Sequence, residues 1–172
     1  MQQFFRTFLD IVLWRRGPQD LPVSQLLLAL AMAAYVLVSV VQLALLRESA
    51  ATWLFFVVVD PLLLFAWTWL VLRIFGKTER LQQTATAIFG ASATLGVIMY
   101  LPLQALLAAA GQDVASVPSQ VVALLLVVAF ALVTGRILKI ATDTSLFTGI
   151  AVSLTYFMVI NLLVGVLRGP GN

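Results

Sequence analysis

The stretch TWLFFVVVDPLLLFAWTWLVLRIF, Thr52 to Phe75, is a long run of large apolar residues. It stays apolar over more than the roughly 20 residues that a helix needs to cross the hydrocarbon core of a bilayer. Asp60 and Pro61 interrupt it once, as an acid followed directly by a helix breaker. The stretch therefore predicts a transmembrane helix with one disturbed turn and one costly polar group.

The rest of the chain repeats this apolar character. Hydrophobic residues make up 62% of it and charged residues 10%, against about 25% charged residues in soluble domains. Four further stretches are long enough to span: Val23 to Leu46, Thr84 to Ala110, Ser119 to Leu138 and Leu146 to Leu167. We predict an all-α integral membrane protein with five transmembrane helices in a single domain, residues 21–168, and a short tail, residues 169–172.

The N-terminal segment, residues 1–20, reads differently. MQQFFRTFLDIVLWRR is too short and too charged to span, and it lacks the small-residue cleavage pattern of a removed signal peptide. Its apolar residues share one face of a helix, which predicts a short amphipathic helix lying in the membrane interface. This helix is either a simple anchor or a segment that docks a partner or senses lipid.

The basic residues predict the orientation in the membrane. Eight of the ten fall on one side of the predicted spans: Arg6, Arg15, Arg16, Arg73, Lys77, Arg80, Arg136 and Lys139. Arg47 and Arg168 fall on the other side. Because cytoplasmic loops carry the excess of Lys and Arg, we expect a cytoplasmic N-terminus and a C-terminus outside.

The same residues form two predicted basic patches on the cytoplasmic side, Arg73 with Lys77 and Arg80, and Arg136 with Lys139. They reflect topology alone, or they bind anionic lipid or an acidic partner. Membrane topology also explains the net charge of +3 better than a nucleic-acid partner does, so none is predicted.

Strongly polar residues recur at a similar depth near the outer ends of four spans: Gln42, Asp60, Gln104 and Asn161. Polar side chains within spans normally face the bundle interior and find one another. The spacing predicts one intramembrane polar layer, lined further by Tyr100 and Tyr156. Its role is either structural adhesion between helices or a small hydrophilic cavity.

Three interpretations of Asp60 and Pro61 stay open. The helix is continuous and kinked at Pro61, with Asp60 held by hydrogen bonds. Alternatively, a non-helical stretch precedes a new helix that starts at Asp60, since Asp followed by Pro is a preferred helix start. In the third, Asp60 titrates during proton or ion movement.

Small residues mark the third span as a packing helix. GASATLG, Gly90 to Gly96, predicts a close-packing face that includes Gly90, Ser92 and Gly96, because small side chains let helices approach. Pro102 is expected to kink the outer part of this span. Asp143 with Thr144 and Ser145 is predicted to cap the fifth helix.

Features that carry chemistry are sparse. The chain has no cysteine and no histidine, so thiolate sites are excluded and the commonest general base is missing. It has no phosphate-binding loop, serine elbow or convincing pair of catalytic carboxylates. We predict no enzymatic activity, no catalytic residue, no cofactor and no metal.

Two segments carry a resemblance to a known family. FGKTERLQQTATAIFGASATLG, Phe75 to Gly96, and GRILKIATDTSLFTGIAVSLTYF, Gly135 to Phe157, resemble the basic connector, third span and fifth span of the Yip family of Ypt/Rab-interacting membrane proteins. The resemblance extends over roughly residues 20 to 167. It implies a non-enzymatic membrane protein that binds partners or shapes membranes. Because only about twenty residues precede the first span, a bacterial member in the inner membrane fits better than a Rab-binding one.

Two functions follow from these patterns. The leading one is an integral-membrane scaffold or accessory subunit that contacts membrane-protein partners through its helices. The alternative is a small oligomeric transporter or channel with Asp60 in its pathway. The lipid bilayer is a partner in both cases, alongside a membrane protein or further copies of the chain.

Overall fold

The computed structural model describes residues 2–46, 50–103, 105 and 112–168, and these residues are helical apart from short connectors. We number the α-helices in chain order. Their bounds are α1 Gln2–Val12, α2 Gln25–Leu46, α3 Ala50–Leu54, α4 Asp60–Ile74, α5 Leu81–Leu95, α6 Gln112–Thr142 and α7 Leu146–Arg168. Within the described residues, five helices are long and apolar enough to cross a membrane, which confirms the predicted helical fold and number of spans.

The second and third spans each widen just before a proline. The five residues Phe55–Val59 form a π-helical turn that joins α3 to α4, and Gly96–Tyr100 form another that continues α5. Each turn is followed by one residue and then by Pro61 or Pro102. A regular α-turn would press a proline ring against the carbonyl four residues earlier, and a wider turn relieves this clash.

The backbone remains helical through Asp60, which has φ −62° and ψ −47°. Its N–H bonds to the carbonyl of Phe55, five residues earlier. The second interpretation, a non-helical stretch before a new helix start, is therefore wrong. The disturbance takes the form of one extra residue in a continuous helix.

The centre of the bundle is α5. Every residue from Thr84 to Gly96 is buried, and α5 contacts α1, α2, α4 and α6. Small residues permit this close approach on all sides. The threonine hydroxyls of this helix cost little to bury because they bond to carbonyls four residues earlier, as Thr86 does to Gln82 at 2.6 Å and Thr94 to Gly90 at 2.8 Å.

The α1 helix packs on this centre. Phe8 and Ile11 keep only 3% and 2% of their surface exposed, and they join the same buried cluster as α5. The apolar face of α1 thus contacts protein at these two positions. Its location in the lipid interface stays a prediction.

Three connectors lie on one face of the bundle, which we call the connector face: residues 13–24, 75–80 and 143–145. The side-chain amide of Gln83 donates to the carbonyl of Leu21 at 2.7 Å, and Arg80 bonds to Asp143 at 3.1 Å. These bonds place the three connectors together, as the distribution of basic residues requires.

The helices that end on the connector face share one C-cap. Trp14 (φ 65°), Gly76 (φ 66°) and Asp143 (φ 55°) are left-handed, and in each case the next residue donates its N–H to a carbonyl five residues earlier. Glycine and aspartate adopt this conformation readily, whereas a tryptophan there is uncommon.

One predicted connector is helical. GQDVASVP lies between the predicted third and fourth spans, Thr84 to Ala110 and Ser119 to Leu138, yet α6 begins at Gln112 and contains the rest of this stretch. A helix satisfies its own backbone groups wherever it continues, so it can extend beyond the apolar segment. The 31 residues of α6 reach about 46 Å at 1.5 Å per residue.

Candidate functional site

The carboxyl group of Asp60 lies between three spans. Its side chain is buried, with 3% of the residue exposed. Tyr35 of α2 donates its hydroxyl to Oδ2 at 2.5 Å, and Tyr156 of α7 donates to Oδ1 at 2.8 Å. Each carboxyl oxygen thus receives one phenol, and one side chain of α4 fixes the positions of two other helices.

Aromatic contacts hold both phenols in place. The ring of Tyr35 meets Phe89 of α5 edge-on, with the centroids 5.4 Å apart. The ring of Tyr156 lies 6.1 Å from that of Trp67, two turns along α4 from Asp60. These contacts restrict the rotamers of the tyrosines, so the carboxyl group meets its donors in a preformed arrangement.

A cavity of about 420 Å³ opens beside Asp60. Every span contributes to its wall, for example Gln42 of α2, Asp60 of α4, Ser92 of α5, Phe130 of α6 and Tyr156 of α7. Its size falls in the range of about 300–1,000 Å³ that small-molecule sites occupy. Most of the remaining lining is aliphatic or aromatic.

Several polar groups of the wall bond to their own helices. Ser39 donates to the carbonyl of Tyr35 at 3.0 Å, and Thr68 donates to that of Leu64 at 2.8 Å. Trp67 differs, because its buried indole N–H has no hydrogen-bond partner among the described residues. Asp60 and Trp67 therefore offer the cavity an acceptor and an unused donor.

The structure assembles the predicted polar layer in part. Asp60 and Gln42 line the same cavity, as do Tyr100 and Tyr156. Asn161 does not join them: it is exposed, and its side-chain amide donates to the carbonyl of Phe157 at 2.8 Å. Similar depth did not fix its direction, because the helix rotation at that depth turns this side chain outward. Gln104 lies outside the described residues.

The predicted small-residue face packs within the chain. At Gly90, the ring of Phe8 from α1 occupies the space that a Cβ would need. At Gly96, a Cβ would come within 2.5 Å of Val38 of α2. Ser92, between them in sequence, is buried and lines the cavity. The face therefore brings α1 and α2 onto α5.

On the connector face, Asp143 gathers two of the predicted patch residues. Lys77 lies 2.8 Å and Arg80 3.1 Å from its carboxylate. Arg80 also donates to the carbonyls of Ile140 and Ala141 at the end of α6. The hydrogen bond from Lys77, followed by that from Arg80, lowers the pKa of Asp143 below its ordinary value.

Within the segment predicted to cap the fifth helix, Asp143 to Ser145, the capping residue is therefore not Asp143. The cap is Ser145, whose hydroxyl accepts the N–H of Thr148 at 3.1 Å. Asp143 ends α6 instead, in a left-handed conformation, and its carboxylate pairs with cations of the preceding connector.

The remaining members of the basic patches are separate from this pair. Arg136 stacks over the ring of Trp14 at 5.2 Å, and Arg73 stacks over that of Trp69 at 5.0 Å. Lys139 is exposed. Of the five predicted patch residues, two therefore serve a connector-to-connector ion pair and two lie on tryptophans.

Sequence reasoning missed Tyr35 and Trp67. Both stand in apolar runs, AAYVL and FAWTW, where an aromatic residue is typical of ordinary packing. The available signal was indirect: a buried carboxyl group needs donors, and Tyr35 is the tyrosine of the neighbouring span.

Within the described residues, no group of three or more His, Cys, Asp or Glu side chains converges to hold a metal ion. Comparison of the chain with protein-family models, with curated proteins and with solved structures finds no match.

Proposed function

We propose that the protein is a non-enzymatic membrane transporter that admits a small solute to the cavity beside Asp60. The observation that carries this proposal is the position of one buried carboxyl group in the wall of a cavity that all five spans line. An ionised Asp within the bilayer costs about 2.5–3.5 kcal/mol on insertion scales. If Asp60 served only to hold helices together, side chains would be expected to pack closely around its carboxyl group. The cavity beside it instead lets a solute reach the carboxyl group, so the energetic cost of burying Asp60 serves a function.

The way in lies between α4 and α7. The α7 helix packs mainly on α6 and only lightly on α4. The Tyr156–Asp60 hydrogen bond and the Trp67–Tyr156 ring contact bridge this weaker boundary. When α7 moves away from α4 together with α6, the Tyr156–Asp60 hydrogen bond breaks and the carboxyl group of Asp60 is exposed. This bond therefore couples the opening between α4 and α7 to the binding of a solute at Asp60.

The test is charge movement by the purified protein in proteoliposomes on a solid-supported membrane. Jumps in proton, Na⁺, K⁺, amine, carboxylate and sugar concentration are applied in turn, with isotope uptake for the uncharged solutes. We expect at least one solute to give a response that Asp60→Asn abolishes. The matched control Glu79→Gln removes an exposed carboxylate of the connector face and should retain it. No response to any solute, or an equal response from Asp60→Asn, would refute transport.

A scaffold or accessory-subunit role is the second candidate. The first and fifth spans bury only 17% and 11% of their apolar windows within the described chain, against 61% for the third. These two surfaces are free for lipid, for a membrane-protein partner or for a second copy. Crosslinking in native membranes followed by mass spectrometry distinguishes them: a stoichiometric foreign partner supports the accessory subunit, and recovery of the chain alone supports a self-sufficient transporter.

The bacterial inner membrane, with the connector face in the cytoplasm, is the location that we propose. The support is the placement of the basic connectors on one face, since cytoplasmic loops carry the excess of Lys and Arg. Membership of the Yip family remains a proposal that rests on the two resembling segments and on the five spans. Binding of anionic lipid is proposed only for Arg73 and Lys139, because Lys77 and Arg80 pair with Asp143.

A further inference from the structure

We propose that the cavity beside Asp60 binds a lipophilic organic cation, an amine or onium ion with an apolar body. The inference deepens the proposed function by naming the class of solute, and it rests on that function for the claim of transport. Three properties of the cavity carry it: its charge, its aromatic wall and its mainly apolar lining.

The first property is charge. Among the described residues that line the cavity, Asp60 is the one with a formally charged side chain. The described basic side chains of the spans, Arg73, Arg136 and Lys139, lie toward the connector face, where Arg73 and Arg136 stack on tryptophans. Both hydroxyls at Asp60 donate to it, which suits a carboxylate and leaves further acceptor sites on each oxygen. A positive ligand supplies the missing counter-charge.

The second property is the aromatic wall. Seven aromatic side chains line the cavity, and every span contributes at least one of them. Trp67 and Tyr156 lie next to each other beside the carboxyl group. Aromatic faces attract cations through their quadrupole, and the attraction grows to about 2 kcal/mol or more when the site is desolvated. Anions gain nothing from these ring faces.

The third property is the mainly apolar lining. The hydroxyls of Ser39 and Thr68 are directed to their own helices, and most of the other lining side chains are aliphatic or aromatic. Asp60 is the charged anchor in this wall, with Gln42 and the indole N–H of Trp67 as further polar groups. A sugar or a peptide would leave several of its polar groups without partners in such a wall. A cavity of about 420 Å³ also far exceeds a dehydrated inorganic ion. The ligand that matches has one charge and an apolar remainder.

The experiment compares two probes of the same shape and opposite charge, tetraphenylphosphonium and tetraphenylborate. Their binding to the full chain in phosphatidylcholine nanodiscs is measured by equilibrium dialysis, with empty nanodiscs subtracted. We expect saturable binding of tetraphenylphosphonium at one site per chain and none of tetraphenylborate. Asp60→Asn should weaken the phosphonium at least tenfold, while Glu79→Gln should leave it unchanged.

Equal binding of both probes, binding of neither, or an unaltered affinity in Asp60→Asn would overturn the inference. The comparison of the two ions needs no variant. The inference can therefore still be refuted if the Asp60→Asn chain fails to fold. Uptake of tetraphenylphosphonium into proteoliposomes separates the two proposals. Charge-selective binding without uptake refutes transport and retains the ligand class. Asp60-dependent movement of other solutes without phosphonium binding refutes the ligand class alone.

Discussion

Single residues determine how closely the spans approach. Gly149 of α7 faces the backbone of Gly135 of α6, and a Cβ at position 149 would overlap the carbonyl oxygen of Gly135. The two helices meet here backbone to backbone, just inside the connector face. A Cβ built on Gly135 would in turn lie 2.8 Å from backbone atoms of Ile150 in α7.

Gly149→Ala is therefore expected to destabilise the protein by about 1–3 kcal/mol, the usual cost of overpacking. The matched control is Gly165→Ala in the same helix, where a Cβ would meet nothing within 4 Å. That change should be neutral or slightly stabilising, because alanine favours a helix over glycine. Thermal unfolding in mild detergent measures both. Equal melting temperatures for the two variants would show that the helices separate at no cost.

Asp143 links stability to pH. Its pKa is held below the ordinary 3.8, chiefly by the hydrogen bond from Lys77 and then by that from Arg80. A lowered pKa in the folded state stabilises the fold above the ordinary value, and this contribution is lost as the pH falls through the lowered value. The pair should thus contribute fully at neutral pH, weaken as the pH falls below 3.8, and be lost only below the lowered pKa.

The measurement compares the wild type with Asp143→Asn between pH 7 and pH 3. Asparagine tolerates the left-handed backbone at this position, so the change removes charge without adding strain. The melting temperature of the variant should be lower at neutral pH, and the difference should narrow in acid. A difference that stays constant over this range would assign the role of Asp143 to its backbone conformation.

At the scale of elements, the two π-helical turns are insertions that accommodate prolines. The turn Phe55–Val59 gives the second span one residue more than a regular helix would hold between Thr52 and Asp60. Deletion of Val58 should restore a regular turn and press the ring of Pro61 against a carbonyl. We expect a loss of about 3 kcal/mol. Val58 is itself 45% exposed, so little packing is lost with it.

The control for this deletion is its combination with Pro61→Ala. Removal of the ring should recover most of the lost stability, because a regular helix then has no clash. Pro61→Ala alone should stay within about 1 kcal/mol of the wild type, since the wide turn already tolerates either residue. Unfolding in bicelles compares the three variants. A combined variant no more stable than the deletion alone would show that the wide turn has another cause.

Elements also show what sequence could predict. The five spans followed from apolar length, and the Asp60–Pro61 disturbance was visible because the residue types are rare within a span. The start of α6 at Gln112 was not visible in the sequence. Polar residues mark where a span leaves the membrane, and they do not mark where the helix begins. The direction of Asn161 and the pairing of Asp60 with Tyr35 depend on how each helix is rotated. Spans that are apolar on all sides carry almost no signal for that rotation.

At the scale of the whole molecule, the helix of lowest hydropathy is the centre. The third span has a mean hydropathy of 1.6 against 2.0–2.4 for the others, yet it is the most buried. Lipid favours apolar residues as much as a protein core does, so high hydropathy does not determine which span is buried. The third span is buried because its residues are small and because its threonine hydroxyls bond to carbonyls four residues earlier. The peripheral spans keep the large aliphatic residues. The cavity then forms where α4, α6 and α7 meet the α2–α5 pair without closing.

The same arrangement allows the orientation to be tested directly. The connector face carries Glu79 and Gln19, both exposed, and Gln112 begins the helix that enters from the opposite side. Because the chain has no cysteine, each of these positions can hold a single one. An impermeant maleimide should label Gln112→Cys in intact cells, and it should label Glu79→Cys and Gln19→Cys only in inverted vesicles. Labelling of Glu79→Cys in intact cells would reverse the orientation. The end of the cavity that Gln42 and Tyr100 line would then face the cytoplasmic side of the membrane.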